Sequence, residues 1–329
     1  MLFRTELIPD KLPVAMQLAD RLVTVGSCFA EVMGQRLADT KLATSVNPLG
    51  TLFNPVSMAK LLTLALTNGA PDEALYAQRD GLWFHYDFHS SFWAITRDEL
   101  ANKLLQALVN VSKVAREANW LLLTLGSAIV YRHKESGQVV ANCQKMASTL
   151  FDKYLCPIGE VRTNLTDLLA LLRRYNHGLQ IVLTVSPVRH VRDGLTLNGA
   201  SKSILRTLCA EMPTLDAQTH YFPAYELVLD DLRDYRFYEA DLIHPNTQAH
   251  DYVFGKFAEA AFSPELRAFV SEWATIRQGL AHQPLHENTA AHRQFLTQLL
   301  AKIQALPLSI DTTAEQAEVQ RRLTEDGRQ

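Results

Sequence analysis

Ser27 is a candidate nucleophile because of the segments on either side of it. It follows a short β-branched run at residues 22–25 and precedes an amphipathic segment from Phe29 to about Asp39. This pattern predicts a strand, a tight turn and a helix. Such a turn presents the hydroxyl at the edge of a sheet, where helix amides and the helix dipole favour an oxyanion. Serine is also a preferred helix N-cap, and this segment alone favours the cap.

Asp241 and His244 could supply the rest of a nucleophilic site. A serine needs a base to take its proton, and the base needs a carboxylate that orients it. An Asp and a His three residues apart in a loop can lie side by side. The alternative is a surface loop whose polar side chains are solvated. The position favours the functional interpretation, because the pair precedes a late helix capped by Asn246, whereas Ser27 follows the first strand.

The elements that must position these residues form a simple pattern. The predicted strands cover residues 22–25, 43–46, 120–125, 179–185 and 219–222. Helical segments alternate with them, which predicts a three-layer α/β/α fold with a mainly parallel, flavodoxin-like sheet. Turn residues follow each strand at its carboxyl end, the edge at which open α/β sheets bind ligands.

The length of the chain favours one large domain and an appendage. With 329 residues it exceeds most single cores. We expect a catalytic domain at 1–262 and an α-helical C-terminal extension at 263–329, where the sequence becomes rich in Gln, Ala and Leu. This extension could cover the site or form a homodimer.

Composition excludes several other functions. The net charge of -3 and the absence of a basic stripe argue against nucleic-acid binding. The longest apolar stretch, at 120–131, is too short to span a membrane. The N-terminus has no signal-peptide pattern and the four cysteines have no paired motif, which predicts a cytoplasmic protein. No phosphate-binding glycine motif occurs, so nucleotide cofactors are not indicated. We expect no cofactor and a small-molecule or carbohydrate substrate.

Many short motifs, in order along residues 1–260, resemble those of the GSCFA family of SGNH (GDSL-like) hydrolases. The segment Gly26-Ser27-Cys28-Phe29-Ala30 matches the signature that names the family. The other motifs are Asn47-Pro48-Leu49-Gly50, Asn54-Pro55, His89-Ser90-Ser91-Phe92, Leu125-Gly126-Ser127, Ser186-Pro187-Val188-Arg189-His190, Tyr221-Phe222-Pro223 and the Asp241–His244 segment. The resemblance implies an SGNH-like fold without naming a substrate.

The resemblance also implies a role for each site residue. Ser27 would be the nucleophile, His244 the base and Asp241 the residue that orients it. The amides of Ser27 and Gly50 would bind the oxyanion.

One departure from the SGNH pattern concerns the oxyanion hole. Ala128 stands where many SGNH enzymes have an Asn that donates to the oxyanion. Loss of one such donor costs about 3 kcal/mol if nothing replaces it. Ser127, Asn54 or Asn142 could replace it, and the sequence does not choose among them.

The segment from His85 to His89 suggests a second chemistry. On a strand, His85, Asp87 and His89 would share one face and could bind zinc with an open position for water. An aromatic-rich lid over the site is the more ordinary interpretation, and His89 is then the residue most suited to touch substrate. Arg189 could bind an anionic group of the substrate or form a structural ion pair.

The function that the sequence predicts best is hydrolysis or transfer of an acyl group on an oxygen ester, through an acyl-Ser27 intermediate. An acetylated carbohydrate is the first substrate to test, by fold-level analogy alone. The alternatives are a metal-dependent hydrolase that uses the His85–His89 segment and a non-catalytic ligand-binding protein on an SGNH scaffold.

Overall fold

The computed structural model describes residues 4–284 and 289–325 of the chain. The strands are β1 (Arg21–Gly26), β2 (Ala43–Val46), β3 (Tyr76–Arg79), β4 (Leu82–His85), β5 (Trp120–Leu125), β6 (Ile129–His133), β7 (Val139–Val140), β8 (Phe151–Leu155), β9 (Gln180–Val185) and β10 (Thr219–Tyr221). The helices are α1 (Cys28–Asp39), α2 (Pro55–Leu66), α3 (Arg97–Glu117), α4 (Ile158–Tyr175), α5 (Leu195–Leu215), α6 (Ala224–Glu226), α7 (Thr247–Ala261), α8 (Pro264–Ala281), α9 (Ala290–Gln304) and α10 (Thr313–Glu325). A π-helical turn, Leu227–Leu232, continues α6.

The central sheet is parallel and has the order β2-β1-β5-β9-β10. This is the flavodoxin-like order, whose switch point lies between β1 and β5. Gly26 pairs with Thr124, and Leu125 pairs with Val185, so the carboxyl ends of β1, β5 and β9 lie side by side. The predicted α/β/α fold is therefore confirmed.

Apolar side chains alternate between the two faces of each central strand. On β5, Leu121 and Leu123 join the core cluster formed with α2, α3, α4 and α5. Trp120 and Leu122 join the opposite cluster, formed with α1, α7 and the C-terminal helices. Burial on both faces explains why these strands read as continuous apolar runs in the sequence.

Two insertions with antiparallel strands pack together, and we call residues 72–94 and 129–155 the cap. The cap contains the β3–β4 hairpin and the three-stranded sheet β7-β6-β8. The amides of Ala141 and Asn142 both donate to the carbonyl of Tyr86, at 3.0 and 2.9 Å. Strands β6 and β7 form a hairpin with Gly137 in its turn, and β8 pairs with the other edge of β6.

The C-terminal helices share a hydrophobic cluster with α1 and α7. Trp273 on α8 donates to the carbonyl of Asp39 at 2.8 Å, and Lys41 pairs with Glu315 on α10 at 2.7 Å. The domain boundary at residue 262 and a role of this extension in homodimerisation stay predictions, and the predicted extension includes residues outside the described part. No helix in the described part is long and apolar enough to cross a membrane.

Candidate active site

The turn that presents Ser27 depends on a close approach of two strands. Gly26 has φ +150°, and a Cβ on it would lie 2.3 Å from the carbonyl oxygen of Thr124. The amide of Ser27 donates to that same oxygen at 3.2 Å. Only glycine avoids the clash, so the chain can pass from β1 into α1 at this point.

Ser27 is the N-cap residue of α1, but its side chain makes no capping hydrogen bond. The side chain is buried, and its Oγ has no hydrogen-bond partner among the described residues. A buried hydroxyl without a partner is costly. The hydroxyl therefore has no structural task that the described contacts reveal, which is the condition expected of a nucleophile.

Asn47 holds this turn from the neighbouring loop. Its Oδ1 accepts from the amide of Gly26 at 3.0 Å, and its Nδ2 donates to the carbonyl of Ser27 at 3.4 Å. Asn47 has φ +38°, a conformation that asparagine tolerates better than most residues. The sequence around Asn47 does not indicate this contact with the nucleophile turn, because it depends on how the loop folds back on β1.

Asp241 and His244 form the pair that the sequence predicts. The two side chains are about half exposed, and His244 Nδ1 lies 2.6 Å from Asp241 Oδ2. Asp241 Oδ1 also accepts from the amides of Ile243 and His244, at 2.9 and 3.0 Å. The side-chain bond to His244, followed by these amides, lowers the pKa of Asp241 to about 2. The carboxylate thus stays ionised and fixes one ring nitrogen of the histidine.

Arg189 joins the Asp241–His244 loop to the carboxyl end of β9. Its amide donates to the carbonyl of Ile243 at 3.3 Å, and its guanidinium lies 4.9 and 4.3 Å from the ring centroids of Tyr235 and Tyr238. Its Nη1 lies 3.5 Å from the carbonyl oxygen of Leu242. The described contacts of Arg189 are with this loop and its neighbouring tyrosines, and its predicted binding of a substrate anion stays a prediction.

The loop and Ser27 lie at the same edge of the sheet but are not hydrogen-bonded. Ser27 follows β1, and Arg189 brings the loop to the end of β9, two strands away. The structure thus joins Asp241 to His244 and leaves Ser27 Oγ without a partner among the described residues. Catalytic hydrogen bonds are often longer in unliganded enzymes and tighten with substrate.

The predicted oxyanion donors differ in availability. The amide of Gly50 donates to the carbonyl of Asn47 at 2.7 Å, and the amide of Ser27 donates to that of Thr124 at 3.2 Å. Both amides would have to leave these bonds to bind an oxyanion, and their role there stays a prediction. Ser127 Oγ accepts from the amide of Ile129 at 3.0 Å and lies 3.3 Å from Ser201 Oγ, which makes it part of the β5 turn.

The side-chain amide of Asn54 has a hydrogen-bond donor, Nδ2, that no described residue uses. Its Oδ1 caps α2 by accepting from the amide of Ser57 at 2.7 Å, and no described residue accepts from its Nδ2. The preceding residue, Phe53, accepts from the amides of Gly126 and Ser127 at 2.8 and 2.9 Å. A Cβ on Gly126 would lie 3.3 Å from the Cβ of Ser27. Asn54 therefore begins its helix close to the nucleophile turn.

The His85–His89 segment does not form the metal site that was the alternative interpretation of its sequence. Strand β4 ends at His85, so the residues do not share one strand face. His85 Nε2 lies 3.0 Å from the carbonyl of Asp72, and Asp87 pairs with Lys60 at 2.6 Å. Among the described residues, no group of three His, Cys, Asp or Glu side chains could hold a metal ion.

The cap instead places His89 against the loop that carries Asn47. A Cβ on Gly50 would lie 2.5 Å from the Cβ of His89, and His89 Nδ1 lies 2.9 Å from Ser91 Oγ. Asn142 turns its Oδ1 toward the amide of Gln144 at 2.8 Å, within the cap. His89 therefore lies beside the Gly50 loop, and its predicted contact with substrate stays a prediction.

Lys202 is a buried charge that the sequence analysis did not single out. Its Nζ donates to the carbonyls of Gly126 at 2.7 Å and Ser186 at 2.6 Å, and its side chain is fully buried. No carboxylate of a described residue lies within 4 Å of it. Burial lowers the pKa of Lys202 to about 7. A lysine on a helix reads as exposed in the sequence, so no pattern signals its burial.

The family of the chain is shown by sequence. Residues 21–257 match the GSCFA family, and residues 273–325 match the C-terminal domain of GSCFA domain proteins. The chain therefore belongs to the GSCFA family. Among curated proteins, none matches the chain.

Two solved structures resemble the fold. One is a "putative acylhydrolase" from Bacteroides fragilis NCTC 9343, with 9% identity and a TM-score of 0.39 over 79% of this chain and 92% of that chain. The other is an acetyl xylan esterase from the rumen bacterium Butyrivibrio proteoclasticus, with 12% identity and a TM-score of 0.33 over 78% of this chain and 66% of that chain.

Proposed function

We propose that the chain is a cytoplasmic serine esterase that hydrolyses or transfers an acyl group on an oxygen ester through an acyl-Ser27 intermediate. The observation that carries the proposal is the Asp241–His244 pair, which lies at the same sheet edge as a buried serine hydroxyl that has no partner among the described residues. A carboxylate, an imidazole and a free hydroxyl at one sheet edge are the parts that acyl transfer by serine requires.

In the proposed mechanism, His244 Nε2 takes the proton of Ser27 as Oγ attacks the ester carbonyl. Asp241 keeps the proton on Nδ1 and stabilises the imidazolium that forms. His244 then gives the proton to the leaving alcohol. Water or an acceptor alcohol attacks the acyl-Ser27 ester in the second half, with His244 again as the base. The exposed loop must bring Nε2 within hydrogen-bond reach of Oγ.

Asn54 is the oxyanion donor that we favour. The substrate oxygen acquires negative charge beside Ser27, and the spare Nδ2 of Asn54 belongs to a helix start next to that turn. This side-chain amide would take the role of the Asn that many SGNH enzymes have at the position of Ala128. Asn54→Asp tests the role, because a carboxylate still caps α2 but cannot donate. We expect a loss of about 10²–10³-fold in the acylation rate with the fold retained.

Labelling with a fluorophosphonate probe tests the proposed function directly. The folded chain should be labelled at Ser27, which peptide mapping by mass spectrometry identifies. Ser27→Ala should abolish the label, and His244→Gln should slow it by about 10³-fold or more. A wild-type chain that stays unlabelled, or labels as fast in His244→Gln, would support a non-catalytic binding protein instead. Acetylated sugars and longer acyl esters then define the substrate.

A further inference from the structure

Burying Lys202 at this place in the fold costs free energy. Two backbone carbonyls accept from its Nζ, and no described carboxylate neutralises it. Removing an ammonium from water without a counter-ion carries a large desolvation cost. A neutral donor such as an amide could satisfy the same two carbonyls at lower cost. The need to hydrogen-bond these two carbonyls therefore does not explain why the residue is a lysine.

The position of Lys202 relates it to the nucleophile. Gly126 and Ser186 directly follow β5 and β9, and the turn at Gly126 passes beside Ser27. Adjacent strands lie about 4.8 Å apart, so the ammonium is within roughly two strand spacings of the Ser27 turn. The Cys28 thiol, in the first turn of α1, interacts electrostatically with Lys202, which places the charge near the same helix start.

We infer that Lys202 is a positioning residue for the reaction at Ser27: it fixes the turns after β5 and β9 and supplies positive charge beneath the oxyanion. The inference rests on the proposed esterase function. A positive charge in this dry setting favours the charge that develops on the substrate oxygen. Lys202 acts through the strand ends and the local potential, without touching the substrate.

The surroundings of Lys202 set the direction of its pH dependence. Cys28 faces it from α1, and the ring of Tyr225 on α6 lies 5.9 Å from its Nζ, with Arg206 of α5 5.5 Å from the same ring. Burial is the main cause that lowers the pKa of Lys202, to about 7. The ammonium is present below that pKa and is lost as pH rises through it, so the acylation rate should fall on the alkaline side.

The test measures the rate of fluorophosphonate labelling at Ser27 between about pH 5 and pH 10 for the wild type, Lys202→Met and Lys202→Gln. Met matches the volume and removes the donor and the charge, whereas Gln retains a donor without charge. We expect an alkaline fall in the wild type, no such fall in either variant, and a loss of roughly tenfold or more at neutral pH in both. Melting temperatures show whether each variant is folded.

Each outcome decides the inference. A wild-type rate that rises to a plateau with no alkaline fall overturns it without any variant, even if the variants do not fold. A Lys202→Gln chain with the wild-type rate and profile shows that the residue only satisfies carbonyls, and the esterase proposal then stands alone. A wild-type chain that is not labelled at Ser27 at any pH overturns both proposals.

Discussion

Two segments of this chain, residues 85–87 and residues 241–244, each contain one histidine and one aspartate, but the first pair is buried and the second is partly exposed to solvent. His85 and Asp87 are buried in the cap, where Asp87 pairs with Lys60 at 2.6 Å. Asp241 and His244 are about half exposed and pair with each other at 2.6 Å. Burial lowers the pKa of His85 to about 4, whereas hydrogen bonds lower the pKa of Asp241 to about 2.

The difference shows which of the two histidines has a ring nitrogen available to act as a base. Both ring nitrogens of His85 are occupied, Nε2 by the carbonyl of Asp72 at 3.0 Å and Nδ1 by the amide of Asp87 at 3.1 Å. His244 uses Nδ1 for Asp241, and no described residue bonds its Nε2. A base needs one free nitrogen and one that is held in place. Only the second arrangement can accept a proton without breaking the fold.

The largest expected effect is on activity, from Asp241→Asn. The amide cannot hold His244 in the required tautomer, so we expect the acylation rate to fall about 10³–10⁴-fold with little change in melting temperature. Rapid-mixing measurements with a fluorophosphonate probe check the rate, and thermal unfolding checks the fold.

A second Asp–His pair, whose His190 and Asp193 side chains are 37% and 17% exposed, provides the control. His190 Nε2 lies 3.0 Å from Asp193 Oδ2, with the same spacing of three residues. Asp193→Asn should leave the acylation rate within about twofold of the wild type. Equal losses in the two variants would show that the Asp241 effect is not specific to a catalytic pair.

The next effect is on stability, from Asp87→Asn in the buried segment. The change leaves the Lys60 ammonium, which is 26% exposed, without its carboxylate. We expect a loss of about 3 kcal/mol in the free energy of unfolding, measured by urea denaturation, and a small change in acylation rate.

The control for that variant is an exposed ion pair in the same cap. Lys134 and Asp152 lie 3.6 Å apart and are about half exposed. Asp152→Asn should cost less than about 1 kcal/mol. If Asp87→Asn instead removed activity and left stability unchanged, the assignment of the His85–Asp87 segment to structure would be wrong.

A third, comparable effect is the pH dependence of stability that His85 creates. Unfolded histidine binds a proton below its usual pKa of 6.5, whereas His85 in the folded chain does so only below about 4. Between these values the unfolded state binds more protons, so stability is full above about pH 6.5 and falls as pH falls toward 4. The free energy of unfolding should fall by about 2–3 kcal/mol over this pH range.

Comparison of the wild type with His85→Gln isolates this contribution. His250, whose pKa burial also lowers to about 4, adds to the acid loss in both proteins. Burial raises the pKa of Asp87, which acts in the opposite sense at the acid end. Urea denaturation at several pH values should show a steeper acid loss in the wild type. Parallel curves would mean that His85 is protonated as easily in the folded chain as in the unfolded one.

The sequence predicts the fold well because buried parallel strands are marked by continuous apolar runs. It also pairs Asp241 with His244 correctly, since three residues in a loop suffice to bring them together. It cannot distinguish this pair from the His85–Asp87 segment, because burial depends on the whole fold. The same limit hides the burial of Lys202 and the hydrogen bond that the amide of Gly50 donates within its own turn.

The smallest expected effect comes from Arg189, which supports the exposed pair as Lys60 supports the buried one. Arg189→Met keeps much of the apolar stem but removes the guanidinium between Tyr235 and Tyr238. A looser loop aligns His244 less often, so we expect kcat/KM on a model ester to fall about tenfold, with faster hydrogen exchange at residues 239–245.

The control for Arg189 is another arginine that stacks on a tyrosine. Arg132 lies 4.9 Å from the ring of Tyr154 in the cap, and its described contacts do not include the Asp241–His244 loop. Arg132→Met should leave both kcat/KM and the exchange at residues 239–245 unchanged. If Arg189→Met raised KM for anionic esters alone, with normal exchange in the loop, Arg189 would be a substrate-binding residue. The exposed pair would then be held by the backbone bonds of Asp241 to Ile243 and His244 alone.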